Sequence, residues 1–140
     1  MPRAKLEPLQ EYRWQSRHVV RVTDVNYGGH LGYDALVGLL HQARVELLGE
    51  LGLDEKDLGD GCTGVIMTDL TLTVQAEGFL GDELTIRSTI VEMGRATFRV
   101  CAEVRIGDRR VALSEAGFAG FNYTERKPSP LPETFRSKVA

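Results

Sequence analysis

Between Asp24 and Asp34 the chain reads Asp24-Val25-Asn26-Tyr27-Gly28-Gly29-His30-Leu31-Gly32-Tyr33-Asp34. Side chains able to take, give or orient a proton are closest together here. His30 carries an imidazole, a side chain that can act as a general base. Asp34 can orient a neighbouring histidine or serve as the base itself. Asn26 can direct a water or donate to a carbonyl, but its amide neither attacks an acyl group nor accepts a proton at neutral pH. Gly28, Gly29 and Gly32 let the backbone turn tightly and keep bulk away from these three, so a small ligand can approach the main chain. Each has an ordinary alternative: His30 bonding the loop backbone, Asp34 capping a helix, Asn26 closing an Asx turn. Asp24 reads as structural.

Other chemistries find less support. There is no Gly-x-Ser-x-Gly, and Ser114 falls in a predicted strand without an elbow, which disfavours a serine hydrolase. No glycine-rich loop joins a strand to a parallel crossover, so nucleotide-cofactor chemistry is disfavoured too. His18 in a strand and His41 on a helix read as packing or surface residues. Cys62 and Cys101 have no metal-ligand or redox spacing, so free thiols and no metal site are expected.

The reactive loop opens onto an apolar segment. Leu36, Leu39, Leu40, Ala43, Leu47 and Leu48 recur at three- and four-residue intervals, with Val37 and Val45 widening the stripe, which predicts one long helix buried on most sides. Asp34 sits where an N-cap or first-turn acid belongs, and Gly49 and Gly52 where the helix should stop. Its unpaired N–H groups would favour a carbonyl oxygen or an anion beside the loop.

Period-two patterns surround that helix. Residues 12–22 alternate before it, and four further runs follow, over 63–75, 83–92, 97–106 and 111–121. In the first of these, Ile66, Thr68, Leu70, Leu72 and Val74 are expected on one face and Met67, Asp69, Thr71, Thr73 and Gln75 on the other. The charged, glycine-marked stretch 54–61 is expected to be mobile. Residues 1–9 read as a loose arm, and 124–140, with Pro128, Pro130 and Pro132, as a surface tail. One strand, one long helix and four strands on short turns predict a single α+β domain over 1–140: a five-stranded antiparallel sheet wrapped around one central helix.

With 140 residues, 42% hydrophobic and 26% charged, the chain can build a real core. A net charge of −3 without a basic cluster argues against nucleic acid as the main partner. No apolar run has membrane-spanning length and the start lacks a signal-peptide core, so a cytoplasmic protein without membrane association is expected.

This order, together with five short motifs, resembles the hotdog fold and, within it, the acyl-CoA thioesterases of the 4-hydroxybenzoyl-CoA thioesterase type. The motifs are Asp24-Val25-Asn26-Tyr27-Gly28-Gly29, His41-Gln42-Ala43-Arg44, Leu80-Gly81-Asp82-Glu83-Leu84, Glu92-Met93-Gly94-Arg95-Ala96-Thr97-Phe98 and the proline-marked segment 128–132. They lie in the register of that family's Asp-x-Asp-x-x-Gly loop, Glu-x-Ala-Arg helix end, turn, Glu-x-Gly-Arg-Ser-Ser-Phe hairpin and tail. The departure is at the catalytic position, where Asn26 replaces the family's second Asp. In the plant acyl-carrier-protein thioesterases, similar in this loop, a histidine occupies the register of His30.

The resemblance implies hydrolysis of an acyl-CoA or acyl-carrier-protein thioester, with Asn26, His30 and Asp34 at the catalytic centre. Gly29, Tyr33, Asp69 and Arg95 would contact substrate, Arg95 through CoA phosphate. CoA would enter only as part of the substrate, with no other cofactor. The resemblance also implies a homo-oligomer, dimer or tetramer, in which residues near 64–69 of one chain close the pocket of another. Two alternatives stay open. Hotdog hydratases and dehydratases carry an Asp-x-Asn-Pro-x-His-x-Asp run, which Asp24, Asn26, His30 and Asp34 match with one extra residue and no proline. The other is non-catalytic acyl-CoA binding.

Overall fold

The computed structural model describes residues 5–140. Its elements are β1 (Trp14–Val19), a single 3₁₀ turn (Val22–Asp24), α1 (Tyr33–Glu50), β2 (Thr63–Val74), β3 (Glu83–Val91), β4 (Thr97–Ile106), β5 (Arg109–Asn122), β6 (Lys127–Pro128) and α2 (Glu133–Val139). All strand pairs are antiparallel in the order β1-β3-β4-β5-β2, and the two-residue β6 adds to β5. The five expected strands and the long helix are therefore present, and the sheet lies over α1.

The period-two runs place their apolar sets against the helix. Val104, Ala102, Val100 and Phe98 of β4 stand opposite Ala112, Ser114, Ala116 and Phe118 of β5, and all eight are buried. Around the first half of α1, Leu36, Leu39, Leu40 and Ala43 meet Val20, Leu84, Ile86 and Val104. Around the second half, Leu47 and Leu48 meet Trp14, Val65 and the stacked pair Phe98 and Phe118, whose centroids are 5.4 Å apart. Helix α1 ends in a Schellman motif: Leu53 N–H donates to Leu48 O at 2.9 Å and Gly52 N–H to Gly49 O at 3.0 Å, with Gly52 at φ 74.

Four expectations change. Helix α1 is buried on one face only, and Gly38, His41, Gln42, Val45 and Glu46 are exposed on the other. In β2 the register shifts between Met67 and Asp69, with Thr68 the extra residue of a bulge. Ile66, paired with Ala119, thus leaves the helix-facing side that Leu70, paired with Ala116, still occupies. The stretch 54–61 is tied down: Asp54, Asp57 and Asp60 each accept two backbone N–H groups, and Leu58 between them is fully buried. The expected tail is part of the core. Leu131 and Phe135 are buried in it, and Phe135 packs 5.0 Å from Phe98. Of the expected N-terminal arm, residues 1–4 lie outside the described residues, and 5–9 carry no regular structure. Among the described residues no helix is long and apolar enough to cross a membrane.

Candidate functional site

The loop before α1 is a tight reversal held by its own backbone. Val25 and Leu31 bridge, Asn26 N–H donates to His30 O at 2.9 Å, and Gly29 N–H donates to Asn26 O at 3.0 Å. Two anchors fix the reversal in place. Leu31 N–H donates to Gly78 O at 2.7 Å and Gly32 N–H to Asp24 O at 2.9 Å. Asp24 is itself buried, accepting from Arg21 N–H at 2.9 Å, and so closes the 3₁₀ turn, as its structural reading implies.

This frame decides what each polar group offers. Asn26 Oδ1 accepts from the N–H groups of Gly28 at 2.9 Å and His30 at 3.4 Å, an Asx-type turn. Its oxygen is occupied, so the part that projects is the amide N–H₂, a donor. His30 Nδ1 lies 3.2 Å from Leu31 O. A carbonyl only accepts, so Nδ1 carries the proton in the neutral ring and Nε2 keeps its lone pair. The ring lies against Gly28, where an added Cβ would sit 2.9 Å from Nε2, so a larger residue there would push the imidazole aside.

Asn26, His30 and Tyr33 border one cleft of about 360 Å³, completed by Leu31, Leu36, Val111 and residues 74–78. Asp34 is not in that cleft, nor hydrogen-bonded to His30. It shares an adjoining depression with Asn26, Val25, Tyr27 and Tyr33. Gly32 takes the N-cap position of α1 without a side-chain cap, which leaves Asp34 as a first-turn acid rather than the cap. Asn26 therefore stands between the other two. Gly29, at φ 78, forms the tip of the reversal.

Asp69 and Arg95 lie elsewhere. Asp69 stands on the sheet face away from α1, gripped by Arg99 through contacts of 3.1 and 2.6 Å. Those bonds hold the Asp69 carboxyl below its usual range and raise the Arg99 guanidinium. Arg95 is exposed in the β3–β4 turn, at the opposite end of the sheet from the loop. The His41-Gln42-Ala43-Arg44 signature also serves structure: His41 Nε2 meets Glu55 Oε1 at 2.6 Å, and the half-buried Arg44 guanidinium lies 4.9 Å over Phe118. Burial lowers the Arg44 pKa. Burial, then the neighbouring Glu115 carboxylate, pushes the Cys101 thiol up to about 11, so it stays a protonated donor. The cleft wall at 74–78 escaped sequence reasoning, because it depends on the long-range Leu31–Gly78 bond and the stretch itself reads only as the approach to a turn.

Known proteins share this arrangement. The model of the thioesterase-like superfamily matches residues 20–139. The 1,4-dihydroxy-2-naphthoyl-CoA hydrolase of Synechococcus elongatus is 25% identical over 122 residues, 86% of this chain and 90% of that one. Slr0204, a 1,4-dihydroxy-2-naphthoyl-CoA thioesterase from Synechocystis, superposes with a TM-score of 0.80 at 18% identity, covering 89% of this chain and 93% of its own. SAV2348 from Staphylococcus aureus, solved in complex with CoA, gives 0.82 at 15% identity, with 95% and 85% covered. The strand order, the loop leading into α1 and a family match over most of the chain agree: the protein belongs to the thioesterase-like superfamily and is a hotdog-fold hydrolase of thioesters.

Proposed function

We propose that the protein hydrolyses an acyl-CoA thioester in the cleft between the 26–33 reversal and residues 74–78, with His30 as general base. The observation that carries this is the commitment of His30 Nδ1 to the Leu31 carbonyl, which leaves Nε2 a free acceptor beside the Asn26 amide. A water deprotonated by Nε2 adds to the thioester carbonyl. The developing oxyanion is met by the Asn26 N–H₂ and by N–H groups at the open start of α1. Collapse breaks the C–S bond and the imidazolium returns its proton to the CoA sulfur, giving free acid and thiol. Asp34, whose carboxylate has no hydrogen bond or ion pair among the described residues, lies beside Asn26 and is the other proton acceptor of the site. Tyr33 walls the acyl group and Gly29 leaves room at the loop tip. CoA brings the thiol, and no other cofactor takes part.

The reading includes a cytoplasmic location, supported by the free thiols Cys62 and Cys101. The test is a panel of acyl-CoAs assayed for thiol release and for enoyl-CoA hydration. Thiol release alone is expected. Hydration without release would move the protein to the hydratases, and binding without either reaction would make it a carrier.

Assembly belongs to the same reading. Strand β2 forms an edge of the sheet, 12 residues long, on which Ile66, Met67, Leu70 and Val74 are 37–57% exposed. Pairing it antiparallel with a second copy would satisfy the edge. It would also align the Val74 end of one chain with the Thr63 end of the other. Residues 64–69 of the copy then close the cleft, and its Arg95 turn moves toward the same end, within reach of CoA phosphate. Light scattering should give at least twice the 15.5 kDa chain mass. Arg95→Ala should raise KM more than it lowers kcat. An active monomer with unchanged KM would sink both the interface and the Arg95 contact.

A further inference from the structure

Two neighbouring peptide groups set the His30 ring. The Leu31 carbonyl takes the Nδ1 proton at 3.2 Å and shares its peptide plane with the Gly32 N–H, which donates to Asp24 O at 2.9 Å. The plane before it carries the Leu31 N–H, which donates to Gly78 O at 2.7 Å. The acceptor that orients the imidazole is thus fixed from both sides. Asp24 is buried within its own turn, whereas Gly78 stands in the connection between two strands.

That connection is tied down at its ends. Strand β2 stops at Val74, and Gln75 and Ala76 prolong its pairing by donating to Val111 O at 2.8 and 3.2 Å. Ahead of β3, Phe79 N–H donates to an Asp82 carboxylate oxygen at 2.9 Å and Asp82 N–H to Phe79 O at 3.0 Å. Glu77 and Gly78 lie between these ties. The side chain that reaches them is Arg109, the first residue of β5, whose guanidinium donates to Glu77 O at 2.8 Å across 32 positions of sequence. A charged donor makes this bond stronger than a neutral one would be. The Arg109 backbone is held in turn, since it pairs with Ile106 across a turn that Arg105 pins by donating to Asp108 O at 2.6 Å. Gly78 is wedged between this hairpin and the reversal: a Cβ on it would sit 3.4 Å from Leu31 Cβ and 3.5 Å from Ile106 Cδ1.

We infer that Arg109 is a positioning residue for the His30 imidazole, acting through Glu77 O, the Gly78–Leu31 bond and the Leu31 carbonyl. The inference rests on the general-base reading above for its effect on rate, though not for its effect on the ring. Without the guanidinium, Glu77 and Gly78 move with the connection and the Leu31 N–H loses a fixed acceptor. The 3.2 Å contact to Nδ1 then opens, and Nε2 no longer points one way. Misplacing a reacting group by about 1 Å can cost up to about 10²-fold in rate.

Arg109→Ala and Arg109→Lys test this, and because Arg109 is exposed both should fold. Arg109→Ala should lower kcat for acyl-CoA cleavage by about tenfold with KM within about twofold, the signature of a misplaced reacting group rather than of lost substrate binding. Arg109→Lys, whose ammonium can reach the same carbonyl, should recover most of that rate. Two measurements are independent of the reaction. In Arg109→Ala the Leu31 amide should exchange with solvent at least about tenfold faster while the β4–β5 amides keep their protection. The ¹⁵N spectrum of the neutral His30 ring should shift from the Nδ1-protonated tautomer toward a mixture. A changed Leu31 amide and ring with unchanged kcat would uphold the positioning and count against His30 as the base. An unchanged Leu31 amide and tautomer in Arg109→Ala, or an Arg109→Lys variant no better than Arg109→Ala in any of these readouts, would overturn the inference.

Discussion

On the sheet face away from α1, charge is answered by charge, while in the 24–34 reversal polar groups are left open. Glu103, with a side chain only 4% exposed, lies among Arg110 at 3.0 Å, Arg105 at 3.3 Å and Arg87 at 3.6 Å. The Arg87 contact is too long for a hydrogen bond, and Glu103 Oε1 lacks one, yet it is close enough for electrostatic attraction. Four residues earlier on β4, Arg99 joins Asp69 at 2.6 Å to Glu115 at 2.7 Å. In the reversal, the Asn26 N–H₂, His30 Nε2 and the Asp34 carboxylate have no such partners among the described residues. A folded chain tolerates open polar groups where water reaches them, and a substrate uses the same groups when it displaces that water. The outer face serves stability, and the proposed site keeps its polar groups open.

The largest expected effect separates those roles. His30→Ala should lower kcat/KM for thioester cleavage by about 10²-fold or more, the scale of losing a general base. The denaturation midpoint should hardly move, because among the described residues the ring's one hydrogen bond is a 3.2 Å contact to its neighbour's carbonyl. Asn26→Asp sharpens the same point. One carboxylate oxygen can keep the two N–H bonds of the Asx turn while the other becomes a second base. Full activity in His30→Ala would break the link between open polar groups and chemistry.

Next in size is the outer face. Glu103→Ala leaves three arginines facing one another over a vacated site and should reduce stability by about 2–4 kcal/mol. Activity per folded molecule should be nearly unchanged, since the residue is on the opposite side of the sheet from α1. Urea titration and initial rates on one preparation give both numbers. A stable but inactive variant would show that the two regions are coupled.

The two regions also differ in how far they can be read from residues alone. The reversal is local: its donors, its glycines and the helix that follows lie within a dozen positions, so Asn26, His30 and Tyr33 are legible as neighbours. Only their hydrogen-bond commitments need coordinates. Arg99 and Asp69 are thirty residues apart and meet because β2 and β4 both pair with β5. The Thr68 bulge is equally hidden, being a property of β2 against β5 rather than of β2. Helix α2 is a different case, since its signals were present: Leu131, Phe135 and Val139 are four apart, Glu133 is in the first turn, and Arg136 and Lys138 are in the last. The three prolines outweighed them, although Pro132 at the N-cap begins this helix rather than forbidding it. The aspartates of 54–61 misled in the same way, because their charge suggested mobility while their carboxylates close turns around Leu58.

The smallest effect tests the outer face by pH. Arg99 hydrogen bonds hold the folded Asp69 carboxyl below its usual range, whereas the unfolded chain titrates near the ordinary aspartate value of about 3.9. A depressed folded pKa means the unfolded state takes up the proton first. The pair's contribution is therefore complete above about pH 5 and is lost as pH falls through the folded value, below about 4. Asp69→Asn should be slightly less stable than the unaltered protein at neutral pH, and the two denaturation midpoints should converge on acidification. The side chain is exposed, so salt should narrow the neutral gap. Hydrolysis by the variant, assayed at neutral pH, should be unaffected if Asp69 only pairs with Arg99. A drop in kcat/KM without a change in mass would instead place Asp69 at the substrate of a neighbouring chain, and the division between a structural face and a reactive loop would have to be redrawn across the dimer.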